Sequence, residues 1–422
     1  MTSRIDLDPT HRSGSAALPP LVWKFGGTSV ADHDRLRAVA ERMVAAQRTG
    51  RRVVAVLSAM GKSTDELVEM AYGISARPPL RELDALLSVG ESISCALAAM
   101  AVAELGSRAV SLTARQAGIA TDGAHGNARL VAVEPQRIHD ELADGAIVLV
   151  TGFQGVSTNG DVTTLGRGGS DASAVAVAVA LGAGECEIFT DVPAVFTADP
   201  RVVPDARRLY SVRHEEMLEM AEGGAAVMQP RSVELALSHG VDIHLRSSFS
   251  AEEGTWIRRE ADGFESAGST AVAGVAHRRQ ESLYAVDGVG AGAVVAALAE
   301  RGIAVGAVVP EPARVRFTAP GAEQAEVSAA LDGVGAVKVD QGLGSVSVVS
   351  LGIGRKPEIV AAALRALEDA DIVPQLVTTT AGRATVLVPS SEVDDAVRLL
   401  HRIFFPAAAE TSVPLQPAAD AA

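Results

Sequence analysis

The sequence predicts an α/β domain with a largely parallel sheet covered on both faces, followed by two smaller ferredoxin-like units. Three observations predict it. Short apolar strands alternate with helical stretches through the first 250 residues, the order that buries a parallel sheet between helices. A polar, glycine-containing stretch at 251–274 then interrupts the alternation. Beyond it a βαββαβ order with a period of ~60–70 residues occurs twice. A chain of 422 residues also exceeds one ordinary core.

In chain order, the predicted strands of the large domain are Leu21–Phe25, Arg52–Ser58, Arg108–Thr113, Ala146–Val150, Cys186–Thr190 and Val241–Arg246. The helical stretches between them are Asp34–Arg48, Thr64–Ala71, Leu83–Leu105, Ser170–Leu181, Glu215–Ala221 and Ser232–His239. The first small unit runs from a strand around Leu283 through helix Ala291–Arg301 and strands Ile303–Val309 and Arg314–Thr318 to helix Glu323–Leu331. The second takes strand Ser345–Leu351, helix Pro357–Ala370, strands Ile372–Val377 and Ala384–Val388, and helix Val393–Phe404. The boundaries read as a disordered leader at 1–20, the large domain at 21–250 and a linker at 251–274. Small units follow at 275–340 and 341–405, then a flexible Ala/Pro-rich tail at 406–422.

Composition excludes several function classes. An apolar fraction of 48% with 21% charged residues is that of a soluble globular protein. No apolar run approaches the ~18–20 residues that span a bilayer, and Asp6 and Asp8 before Pro19-Pro20 do not read as a signal peptide. The two cysteines, Cys95 and Cys186, form no disulfide framework and fit a reducing cytoplasm. A net charge of −15 argues against nucleic-acid binding and would repel a nucleotide. A nucleotide site here therefore needs local positive potential from a few cations or from backbone N–H groups.

Three segments offer that potential. Trp23-Lys24-Phe25-Gly26-Gly27-Thr28-Ser29 is a strand, a lysine and a glycine turn. Glycines let N–H groups approach phosphate oxygens, and a lysine adds charge to a phosphoryl group in flight. A tight turn with a snorkelling lysine explains the same residues. Thr164-Leu165-Gly166-Arg167-Gly168-Gly169-Ser170-Asp171 opens an apolar helix, with Ser170 as the expected N-cap. Such a helix start suits a phosphate or carboxylate, and Arg167 could grip a carboxylate bidentately. A capped buried helix is the plain alternative, and the arginine favours anion binding over it. Thr190-Asp191 follows a strand and precedes Phe196-Thr197-Ala198-Asp199-Pro200-Arg201, where a base and ribose would lie or a plain turn would sit. Ser58-Ala59-Met60-Gly61 follows the second strand, and Glu91 sits in an apolar helix where a carboxylate needs a partner. A substrate ammonium group or a neighbouring arginine would serve.

Taken in order, these segments resemble the aspartokinases of the amino-acid kinase family. The resemblance covers about 21–250 through KFGGTSV (24–30), SAMGKSTDEL (58–67), GES (90–92), HGNAR (125–129), GFQG (152–155), TTLGRGGSD (163–171), TD (190–191), FTADPR (196–201) and PRSVELA (230–236). It implies a three-layer αβα kinase domain followed by two ACT modules, which the ferredoxin-like reading fits. It implies ATP-dependent phosphorylation of the aspartate side-chain carboxylate, with Lys24 stabilising the transferred phosphoryl group and Asp171 organising the site. Arg167 would hold the substrate α-carboxylate and Glu91 its ammonium, with Thr64, Phe153, Gly168 and Ser170 completing the pocket. Ser58, Thr190, Asp191, Phe196 and Arg201 would lie along ATP, with Gly26 and Gly27 near its phosphates. Mg²⁺ would be carried by the nucleotide, with no dedicated protein metal cage. The acceptor is ionised at pH 7, so no general base is needed; the task is to align two anions and offset their repulsion. A kinase for another small acidic amino acid, or a non-catalytic regulatory partner, are the alternatives.

The chain departs from the family in places. Ala226 stands where relatives have a nucleotide-facing lysine, Gln229 where they have histidine, and Pro193-Ala194 replaces Asp-Gly. Phe196 replaces a common tyrosine. In the C-terminal third, Val309-Pro310-Glu311 and Thr378-Thr379-Thr380-Ala381 replace the stretches tied to effector binding. The expectation is weaker ATP binding or an altered base preference, weak or absent inhibition by lysine and threonine, and modules kept for homo-oligomerisation, as a dimer or larger.

Overall fold

The computed structural model describes residues 18–260 and 272–406. All but Leu18–Pro20 of the expected leader, and all but Pro406 of the expected tail, lie outside the described residues. The large domain is built on an eight-stranded sheet in the order Ser211–Arg213, Thr255–Arg258, Asp242–Ser247, Glu185–Thr190, Leu21–Phe25, Val53–Leu57, Ile147–Thr151, Ala109–Leu112. Every neighbouring pair is parallel except Asp242–Ser247 with Thr255–Arg258.

The central strand Val53–Leu57 is apolar at every position because both faces of the sheet are buried. Val22, Val54, Val56, Val148 and Val150 point into a core with Ala174–Val179 and Met217. Their neighbours Trp23, Phe25, Ala55, Leu57 and Leu149 point the other way, against Leu36, Val39 and Met43 of helix His33–Arg48 and Cys95, Ala98 and Val102 of helix Val89–Glu104. These two cores make the three layers. The expected strand Arg314–Thr318 and helix Val393–Phe404 match the structure residue for residue.

Several expectations are corrected. The predicted helix Leu83–Leu105 is two helices, Leu80–Leu87 and Val89–Glu104, meeting at Ser88. Together they are long and apolar enough to cross a membrane by composition, against the sequence expectation. Cys95, Ala98 and Val102 of the second helix pack in the core described above and Asp84 and Glu91 are buried, while Leu80, Val89, Ile93 and Met100 are exposed. Part of the expected linker is a sheet strand, Thr255–Arg258, with Thr255 and Ile257 fully buried. A second sheet of four short strands, Leu130–Val133, Ile119–Thr121, Gln154–Val156 and Val162–Thr164, was not expected. Strands expected at Ile303–Val309 and Ile372–Val377 start later, at Val308 and Leu376. Gly306 lies tight against Thr318 in the first case, and Pro374 removes a ladder donor in the second.

The C-terminal part forms one six-stranded antiparallel sheet, ordered Val308–Glu311, Arg314–Thr318, Gly274–Asp287, Val337–Val349, Arg383–Pro389, Leu376–Thr379. Its two long central strands are shared between two cores. Register shifts between Arg278 and Leu283 separate Gly274–Arg278, paired with Ser345–Val349, from Leu283–Val286, paired with Val337–Asp340. Tyr284, Val294, Phe317 and Leu331 pack in one core. Val275 packs in the other, with Val346, Val386, Val397 and Leu400. The packing therefore crosses the expected division at 340/341, because a strand this long spans both modules.

Candidate active site

Four parallel strands, Leu21–Phe25, Val53–Leu57, Ile147–Thr151 and Glu185–Thr190, end at one edge, and the loops that leave them are laced together. Gly26 N donates to Phe189 O at 3.1 Å, Ser58 N to Phe25 O at 3.1 Å, and Gly152 N to Leu57 O at 3.0 Å. The close approach demands glycine at two points. A Cβ on Gly27 would lie 2.8 Å from Ala59 O, and one on Gly152 would lie 2.7 Å from the Ser170 side chain. In such sheets ligands bind beyond the carboxyl ends of the strands.

At the centre of this edge Lys24 Nζ meets Asp171 Oδ1 at 2.6 Å, each side chain 11% exposed. Asp171 lies in the first turn of helix Gly169–Ala180, whose positive end favours its charge. A Cβ on Gly26 would sit 3.5 Å from Lys24 Nζ, so the glycine turn passes beside the ammonium group. The expected N-cap at Ser170 is corrected. The cap position is Gly168, in the left-handed region at φ 68°, and no side chain caps the helix. Ser173, one turn in, accepts from Phe153 N at 3.2 Å and donates to Gly169 O at 2.9 Å. Phe153 is itself held at φ 68°, a conformation costing a β-carbon residue about 1–3 kcal/mol and found where a site over-determines it.

Glu91 is buried, with Oε1 accepting from Ala59 N at 3.1 Å and Oε2 without a hydrogen-bond partner. Burial pushes its carboxyl up to about 7. Among the described residues no arginine pairs with it. Thr64 is half-buried in the first turn of helix Ser63–Ile74. Arg167 is exposed and makes no hydrogen bond or ion pair with the described residues. A Cβ on Gly168 would fall 1.5 Å from Gln229 Cγ, so Gln229 lies directly over this loop.

The residues expected along the nucleotide are more open. Thr190 Oγ1 donates to Asp191 Oδ1 at 3.0 Å. Phe196 pairs with Arg208 in a two-residue ladder. Arg201 is 85% exposed and folds onto Asp199, with Nη2 to Oδ2 at 2.7 Å, which holds the Asp199 carboxyl below its usual range. Ser58 is half-buried, its carbonyl accepting from Ser94 Oγ at 2.8 Å.

Sequence reasoning missed Asp84. Its carboxylate, 1% exposed, accepts from Thr164 Oγ1 at 2.5 Å, His125 Nδ1 at 2.8 Å and Gly126 N at 3.0 Å. It joins three elements just before the Gly166–Gly168 loop. Arg231 Nη1 adds a bond to Asn127 Oδ1 at 2.7 Å and one to Leu165 O at 3.4 Å. The buried-acid argument that singled out Glu91 would have found Asp84 as well.

The amino acid kinase family profile matches residues 19–247. Over 403 residues, 91% of this chain, the sequence is 44% identical to the aspartokinase of Mycolicibacterium smegmatis, of which 96% is covered. It is 42% identical over 397 residues to the aspartokinase of Geobacillus stearothermophilus, covering 91% of this chain and 97% of the relative. The fold is similar to E. coli aspartokinase III in complex with aspartate and ADP, at a TM-score of 0.78 and 24% identity, over 92% of this chain and all of that one. On this match, spanning both the kinase region and the C-terminal sheet, the chain belongs to the aspartokinases of the amino acid kinase family.

Proposed function

We propose that the chain transfers the γ-phosphoryl group of ATP to the side-chain carboxylate of L-aspartate, giving 4-phospho-L-aspartate and ADP. The observation that carries this reading is the buried Lys24–Asp171 pair at the start of an apolar helix beside a glycine turn, together with a buried Glu91 whose Oε2 has no hydrogen-bond partner. The aspartate side chain is ionised at neutral pH and attacks the γ-phosphorus directly. The bond to the β,γ-bridging oxygen breaks as the new P–O bond forms. Both reactants are anions, so the protein's task is alignment and positive potential. Lys24 supplies a fixed charge at the reacting group, and Asp171 holds the ammonium in place. Glu91 takes the substrate ammonium and Arg167 its α-carboxylate, while Thr64, Phe153, Gly168 and Ser170 wall the pocket. Gly26, Gly27, Ser58, Thr190, Asp191, Phe196 and Arg201 line the ATP.

Among the described residues no group of three or more His, Cys, Asp or Glu is placed to hold a metal ion. Mg²⁺ would come with ATP and supply charge neutralisation there. The same proposal places the enzyme in the cytoplasm, in keeping with two free buried cysteines. It also joins copies through the C-terminal sheet, whose outermost strands are Val308–Glu311 and Leu376–Thr379. Effector control is weak in this reading. Thr380 donates to Glu219 at 3.1 Å, and Arg383 Nη1 pairs with Glu219 and Glu222 at 2.5 and 2.7 Å, so the 378–381 stretch is engaged by the kinase domain. Titrating lysine and threonine into the assay checks this, and strong joint inhibition would refute it.

A hydroxamate assay with ATP, Mg²⁺ and aspartate or glutamate traps the acyl phosphate and tests the main reading. Turnover of aspartate well above glutamate is expected. No product with either amino acid would sink it.

A further inference from the structure

The segment following Phe196 is held from two sides. Thr197 is 1% exposed, and all its polar atoms are used. Its N–H donates to Arg207 O at 2.8 Å, its carbonyl accepts from Val275 N at 2.7 Å, and its hydroxyl accepts from Arg207 N at 2.9 Å. The hydroxyl also meets His401 Nε2 at 2.9 Å. Since Oγ1 already accepts from Arg207 N, its own proton is free for an unprotonated Nε2. Burial lowers the pKa of His401, which favours the neutral ring that accepts it.

His401 belongs to the last helix, Val393–Phe404, and stacks on Phe405. Arg398 on the same helix donates to Val202 O at 3.1 Å. The apolar residues agree. Ala198, Val202 and Val203 are buried in the core made by Val275, Val397 and Leu400 rather than in either kinase core.

We propose that His401, in the C-terminal module, is a positioning residue for the nucleotide, fixing through Thr197 the loop that carries Phe196 and Arg201. This rests on the assignment of that loop to ATP. A shift of the last helix would then reach the ATP end of the site and leave the aspartate end in place.

The test uses the full chain and reads KM for ATP, KM for aspartate, kcat and the calorimetric Kd for ADP. His401→Leu keeps the bulk and removes the nitrogen. It should raise KM for ATP and Kd for ADP about tenfold, the size of losing one buried hydrogen bond, with KM for aspartate and kcat within about twofold. His401→Gln, whose amide reaches the Nε2 position, should restore most of the affinity. Equal changes in both KM values, or no rescue by glutamine, would reduce His401 to a packing residue and overturn the proposal. Phe196→Ala separates the two failures. If it leaves Kd for ADP unchanged, the loop does not face the nucleotide and the underlying reading is at fault. If it weakens ADP while His401→Leu does not, only the present inference fails. Should His401→Leu not fold, Arg398→Ala decides: a smaller rise in KM for ATP alone supports the proposal, and unchanged constants overturn it.

Discussion

The two ends of the site are built differently. In the proposed assignment the phosphoryl and amino-acid end rests mainly on buried groups fixed by the kinase core, with Lys24 against Asp171, Glu91 against the Ala59 amide and Asp84 tying three elements together, and with Arg167 as its exposed exception. The proposed nucleotide end is more open, with Asp191 and Arg201 exposed beside a half-buried Ser58 and a buried Gly26. Its arginine, Arg201, is mostly exposed and paired with its own neighbour Asp199, and its loop is packed from a different module. Charges in the first region act in a water-poor setting and are pre-aligned, so each is worth much. Charges at the rim are screened and mobile, so each is worth little. The departures from the family are not confined to the exposed residues: Ala226 is exposed and Pro193 and Phe196 are half-buried, but Ala194 is buried and Gln229 lies over the Gly168 loop.

That contrast breaks first if Lys24 is dispensable. Lys24→Met should lower kcat by about 10³ or more, the scale of losing a preorganised charge at a transition state, while Kd for ADP changes less than about tenfold. It should also lower thermal stability, because Asp171 is left buried without its cation. Steady-state kinetics, ADP calorimetry and a melting curve read these together. A kcat within tenfold of the parent would show that the buried pair is structural.

Glu91 gives the next largest effect and the clearest pH dependence. Glu91→Gln should raise KM for aspartate about 10–100-fold, as expected for one charge-assisted hydrogen bond, with KM for ATP unchanged. In the unsubstituted protein the carboxyl is pushed up to about 7 by burial. The free site is therefore mostly protonated below that value, and binding an ammonium group must first expel the proton. kcat/KM for aspartate should fall about tenfold per pH unit below pH 7 and level off above it. The stability consequence has the opposite sign. A folded-state pKa above the unfolded one means the native state holds the extra proton, so this group's contribution to stability falls as pH rises between about 4.5 and 7. A pH-independent KM for aspartate from 6 to 8 would remove Glu91 from the ammonium site.

The same contrast governs what the sequence revealed. Central strands such as Val53–Leu57 announce themselves because burial on both faces leaves an unbroken apolar run. The Thr255–Arg258 strand is four residues among polar neighbours, and the strands at 119–121, 154–156 and 162–164 are three residues each. Strands this short hold too few residues for an alternation to register, even where the partner is near in the chain, as in the pairing of Gln154–Val156 with Val162–Thr164. Glu91 was legible because a charge in an apolar helix demands an explanation. Ser170 misled because a hydroxyl before a helix fits a cap, whereas Gly168 turns the chain in a conformation that serine avoids. The contact of Thr197 with His401 joins residues 204 positions apart, and no spacing rule reaches that far.

The smallest effect tests the rim itself. Ala226 is exposed, three residues before Gln229, which covers Gly168 at the substrate loop. A lysine placed there would add one point charge near the anionic end of ATP, in solvent. Such a charge contributes about 0.5–1 kcal/mol at low ionic strength and less as salt screens it. Ala226→Lys should accordingly lower KM for ATP about two- to fivefold at low salt and lose that gain above roughly the ionic strength where the Debye length drops below ~5 Å. Ala226→Gln, with similar length and no charge, should do nothing. If lysine leaves KM for ATP unchanged at low salt, the segment does not face the phosphates, and the difference between the two ends of the site is not one of charge at this position. If lysine and glutamine act alike, the gain comes from loop order. A gain surviving high salt would mean the new ammonium is shielded from solvent, and the rim would be drier than its exposed residues indicate.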